Sequence, residues 1–156
     1  MTHEEAVDHL SGLIQVCKDG ELGYKTAAGH VRNSKLGSVF EEYARERAGF
    51  ARELEEEIKR LGGAAPSHGS LTGALHRGWM DLKSALTGGE PGGIVAACET
   101  GEDAAQAAFE RVVNTDISGQ SRSLVEKQWH RIEEAHKRLL RLKDEAEAGL
   151  EYPNNE

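Results

Sequence analysis

CKDGE occupies residues 17–21 and CETGE occupies residues 98–102. Each copy lies in a run whose apolar residues recur at alternating steps of three and four, the spacing that lines one face of an α-helix. The first stripe reads Val7, Leu10, Ile14, Cys17, Glu21, Tyr24, Ala28 and Val31; the later one reads Val95, Cys98, Glu102, Ala105, Phe109 and Val112. A glutamate thus falls twice where a leucine would be the safer residue. A carboxylate aimed into a core must be neutralised by a partner, so the repeat that sets the helical register also raises the question of function.

The runs extend outward into four long helices. Thr2 and Glu5 have the spacing of a capping box ahead of the first helix. NSKLG is a short break with Ser34 as the expected cap, and the second helix carries Leu36, Phe40, Tyr43, Arg47, Phe50, Leu54, Ile58 and Leu61 before Gly62 and Gly63 end it. A long connection follows. Within it Leu71, Leu75, Trp79, Leu82 and Leu86 share a face, which predicts a short helix. Pro91 suits the first turn of the third long helix. The fourth is expected from about Ser121 to Ala148, with Val125, Trp129, Ile132, His136, Leu139 and Leu140 inward, and residues 149–156 read as a disordered tail. Connections in the order short, long, short let the second one traverse the bundle, leaving helices two and three parallel. The expectation is all-α: one domain over residues 1–148, a ferritin-like four-helix bundle with a helix-containing crossover.

Composition narrows the function classes. Aromatic residues are 5 % of the chain and β-branched runs are absent, so strands are not expected. The net charge of -8, with basic residues interleaved among acids, argues against a nucleic-acid binder. No window approaches a membrane span, and MTHEEAVDHL lacks the form of a signal peptide. A cytoplasmic protein with reduced thiols at Cys17 and Cys98 follows as the expectation. In antiparallel helices those sulfurs fall on opposite sides of the glutamate level, too far apart for a disulfide. There is no phosphate-binding loop and no nucleophile elbow.

The chain resembles an uncharacterised bacterial family of ferritin-like four-helix-bundle proteins, a domain of unknown function. The resemblance runs from about Glu5 to Glu145. It rests on CKDGELGYKTAA at 17–28, YARERAGFARELEEEIKRLGG at 43–63, GALHRGWMDLKSALTGG at 73–89, CETGEDAA at 98–105 and AHKRL at 135–139. It implies the fold, but no established reaction.

Di-iron carboxylate bundles take one Glu from each of two helices and a Glu-x-x-His pair from each of the others, because residues three apart share a helix face. Glu21, Glu99 and Glu102 are candidates here, and Glu133 with His136 has the pair spacing. The second helix fails the pattern. Glu46 is its nearest candidate, Gly49 stands where histidine is required, and Arg47 is better centred. Guanidinium cannot ligate a metal, so the favoured arrangement is a buried polar centre of Glu21, Arg47 and Glu102. The alternative is a degenerate iron or manganese site from Glu21, Glu46, Glu99, Glu102, Glu133 and His136, with ferroxidase or iron-handling activity. Gly20 and Gly101 are expected to leave room for a large neighbour such as Arg47. Trp79 and Leu82 either cover one side of the bundle or bury against a second subunit. A non-catalytic binding, scaffold or stress-related protein without a cofactor, assembled as a homodimer, is the resulting expectation.

Overall fold

The first two helices start, and the second also stops, where the local chemistry satisfies their end groups. In the computed structural model, which describes residues 1–65, 76–88 and 90–147, helix α1 spans His3–His30 and Thr2 Oγ1 accepts the Glu5 backbone N–H at 3.1 Å. Helix α2 spans Ser34–Arg60, and its cap is Asn33 rather than Ser34: Asn33 Oδ1 accepts the Leu36 N–H at 3.0 Å. Asn carries its acceptor one bond further from the backbone than Ser, and either residue serves well at this position. At the other end Gly62 has φ 84°, and the N–H groups of Gly62 and Gly63 reach back to the Lys59 and Ile58 carbonyls at 3.0 and 2.9 Å. This left-handed closure satisfies carbonyls that the helix itself leaves open.

The crossover contributes a 3-10 turn, His76–Trp79, running into the short helix α3, Met80–Ala85. Leu82 is buried, but Leu71 and Leu75 lie outside the described residues, as does the tail 149–156. Helix α4 spans Pro91–Val113 with the proline in its first turn, and α5 spans Gly119–Glu147. All elements among the described residues are helical, and no helix among them is long and apolar enough to cross a membrane.

Helix directions follow from which residues share a core. One apolar cluster joins Leu10–Cys17 of α1 to Phe50–Ile58 of α2, Ala105–Val113 of α4, and Val125 and Ile132 of α5. The other joins Tyr24 and Ala27 to Leu36–Ala44, Ile94–Cys98, and Ala135, Leu139 and Leu142. Helices α1 and α5 therefore run one way and α2 and α4 the other, so α2 and α4 are parallel: the chain leaves α2 at one end of the bundle and enters α4 at the other. Each fully buried Leu, Ile or Phe in these clusters contributes about 1.5–3 kcal/mol. Between the clusters, at the level of Gly20, Arg47 and Glu102, lies a polar layer.

Trp79 closes the bundle where the crossover passes α1 and α4. Its indole fits between Gly23 and Gly101, and a Cβ at Gly101 would fall 2.6 Å from Trp79 Cδ2 and Cζ2. Gly20 does leave room for Arg47, whose Cγ would sit 3.3 Å from an added Cβ. The large neighbour of Gly101 is Trp79 instead. Trp79 and Leu82 pack against the second cluster, so the crossover covers one side of the bundle.

An alanine in an open helix interior is favoured over glycine by about 1 kcal/mol, whereas overpacking costs about 1–3 kcal/mol. Gly12 of α1 has nothing within 4 Å of an added Cβ. Gly12→Ala is thus expected to raise the urea midpoint and Gly101→Ala to lower it. Equal gains from both substitutions would show that Trp79 does not occupy the glycine slot.

Candidate functional site

The polar layer is built from three helices. From α4, Glu102 is fully buried; from α2, Arg47 is 1 % exposed and its Nη1 donates to Glu102 Oε1 at 2.5 Å. From α1, the Tyr24 hydroxyl donates to the same oxygen at 2.7 Å. The guanidinium carbon lies 5.6 Å from the Tyr24 ring centroid and 5.7 Å from that of Phe50, so the charge is also held over two aromatic rings. Trp79 meets the Tyr24 ring edge-on, with centroids 5.0 Å apart.

The surroundings decide the charge states. Burial lifts the Glu102 carboxyl above the ordinary carboxylate value, while the Arg47 charge and the hydrogen bonds from Tyr24 and Arg47 pull it back. Burial is also the largest single influence on the guanidinium and works against its charge, but Glu102, Tyr24, Glu46 and Cys17 together outweigh it and raise the Arg47 pKa, so Arg47 stays charged. Burial and then Glu102 push the Tyr24 phenol well above its usual value, keeping it a donor.

A second arm reaches the surface. Glu46 Oε1 lies 3.6 Å from Arg47 Nη2, and Glu46 Oε2 accepts Nε and Nη2 of Arg131 at 3.2 and 3.0 Å. The chain of contacts Tyr24, Glu102, Arg47, Glu46, Arg131 thereby touches α1, α4, α2 and α5. Cys17 and Cys98 flank the layer in different clusters as free, buried thiols. Burial pushes Cys17 up to about 12 and Cys98 well above its ordinary value, so neither is a ready nucleophile.

The six candidate metal ligands divide. Glu21 is turned off the seam and pairs with Lys25 at 2.9 Å, its side chain 27 % exposed. The buried stripe of α1 runs through Cys17, Gly20 and Tyr24, which rotates Glu21 away from Arg47 and corrects its expected place in the polar centre. Glu46 and Glu102 are engaged by arginines, and Glu133 is half-buried. Glu99 and His136 do meet, at 3.4 Å, with Asp103 beside them. A central dinuclear metal site does not fit this set, because its middle holds a guanidinium and the helix-two histidine position is Gly49.

Tyr24 escapes a reading by periodicity because a tyrosine on an apolar stripe reads as packing. Its signal was the seven-residue interval from Cys17, which places it one level above Gly20 on the same face.

These features define a helical bundle with a buried ion pair at mid-height. Residues 5–115 match the family described as Domain of unknown function (DUF2383), and the chain belongs to that family. The match covers α1 to α4 and ends before α5. No curated protein matches the sequence.

Removing one partner of a buried pair costs about 3–5 kcal/mol, while replacing the whole group with apolar residues is often neutral or stabilising. Arg47→Ala is expected to fall in that range by chemical denaturation. The triple variant Tyr24→Phe, Arg47→Met, Glu102→Leu is expected to be as stable as the parent or more so. Equal losses in the two proteins would mean that Glu102 does not depend on Arg47.

Proposed function

We propose that this chain is a non-catalytic, ferritin-like four-helix bundle acting as a cytoplasmic binding or scaffold protein, in a stress-related role and as a homodimer. The observation that carries the reading is the Arg47 guanidinium at the centre, bonded to Glu102 at 2.5 Å. It fills with fixed charge the place where bundles of this helix order hold metal. The up, down, down, up helix directions support the ferritin-like assignment. Complete burial, with Oε1 held by Arg47 and Tyr24, leaves Glu102 little freedom to act on a substrate. Binding would fall to the surface, where a groove of about 450 Å³ lies between α2 and α5, lined by residues including Glu46, Phe50, Glu53, Lys127, Gln128 and Arg131. Exposed Leu22 of α1 and Met80 of α3 offer large apolar side chains to a second subunit and support self-association.

A second reading, iron handling by a reduced carboxylate and histidine site, draws on the approach of Glu99 to His136. The two are separated by metal analysis of protein expressed in iron-rich medium, followed by a ferrous oxidation assay. The expected result is no dinuclear iron and no oxidation above the buffer rate. Two irons per chain, with oxidation lost in Glu102→Gln, would overturn the proposal.

A further inference from the structure

Away from the central pair, α4 and α5 bring a second set of groups together. Glu99 and Asp103 are four residues apart on α4, so their carboxylates project from adjacent turns of one face. Across from them, His136 of α5 points Nε2 between the two, 3.4 Å from Glu99 Oε1 and 2.6 Å from Asp103 Oδ1. The three ligand atoms all lie within 4.8 Å of one another.

His136 stands within ion-pair distance of both carboxylates. His136 Nε2 is a buried atom that makes no hydrogen bond to either carboxylate, close as both are. Two acceptors and one ring nitrogen converge without alignment between any pair. A shared partner at their focus accounts for this better than a proton held toward one of them. Ligands 2.0–2.2 Å from a tetrahedral metal lie about 3.4 Å apart, which the Glu99 to His136 separation already matches. Asp103 has only to open slightly. Its side chain is 57 % exposed, which gives it freedom to move and gives a cation a way in, while Glu99 and His136 are 14 % and 17 % exposed. Lys143 Nζ stands 4.0 Å from Glu99 Oε2, the other oxygen of the carboxylate that approaches the histidine.

We propose that Glu99, Asp103 and His136 form a mononuclear site for a borderline divalent cation of the zinc type, clamping α4 to α5. One imidazole with two carboxylates suits zinc, while calcium and magnesium favour all-oxygen shells. The site shares Glu99 and His136 with the dinuclear reading but needs neither Glu102 nor any ligand from α1 or α2. Its failure is therefore distinct from a failure of the proposed function.

The test is calorimetric titration of the metal-free protein with zinc chloride, alone and with excess magnesium. One saturable equivalent is expected, unaffected by magnesium. His136→Gln and Asp103→Asn should each weaken it by at least about 10-fold, a loss that even outer-shell changes can reach. Thermal unfolding of the variants without zinc checks their folding. Nitrogen-15 spectra of the histidine rings give a readout on the unaltered protein, with the His136 Nε2 resonance expected to move to a metal-bound position. Absence of saturable binding, an unmoved His136 resonance, or binding retained in both variants would overturn the assignment.

Discussion

A guanidinium and a carboxylate, both shut off from water, must find each other or the bundle does not close. Isolated, either charge would cost several kcal/mol to bury. Joined at 2.5 Å, with the Tyr24 hydroxyl on the same oxygen, they turn that cost into a constraint on geometry. Arg47 belongs to the first hairpin and Glu102 to the second, so the pair fixes how one hairpin slides and rotates against the other. Apolar contacts alone tolerate such shifts far better, since hydrophobic attraction is non-directional.

The rest of the core is arranged around this layer. One apolar cluster fills the bundle below it and another above, each drawing on all four long helices. Small residues supply the room: Gly20 admits the Arg47 stem, and Gly23 with Gly101 admits the Trp79 indole. Through its edge-on contact with Tyr24, Trp79 packs the crossover against the polar layer. The long connection is therefore part of the packing.

Much of this was legible in the residues. Steps of three and four marked the four long helices, glycine marked the end of α2 and proline the start of α4, and the order of short and long connections implied the parallel pair α2 and α4. Arg47 announced itself as a charge on an apolar stripe, and Glu102 likewise. Glu21 misled, because periodicity locates a stripe only to within a fraction of a turn. In α1 the seam passes through Gly20 and Tyr24, and the neighbouring glutamate turns toward Lys25. The Trp79 slot was hidden for a different reason: glycine in a helix signals that something comes close, but not what. Asp103 carried no mark in the sequence, since its pairing with His136 depends on the rotation of α4 against α5.

The C-x-x-G-E repeat, then, is one motif put to two uses. In α4 its glutamate anchors the buried pair, while in α1 its glycine receives the partner of that pair. The most direct measurement is of the Arg47 side chain in solution, by nitrogen-15 resolved spectra of the arginine guanidinium groups and their exchange with solvent. The account predicts one arginine whose Nη protons are individually resolved and exchange far more slowly than those of the exposed arginines, and whose resonances shift in Glu102→Gln. Guanidinium protons that all exchange rapidly and average together would contradict a buried pair at the centre of the bundle.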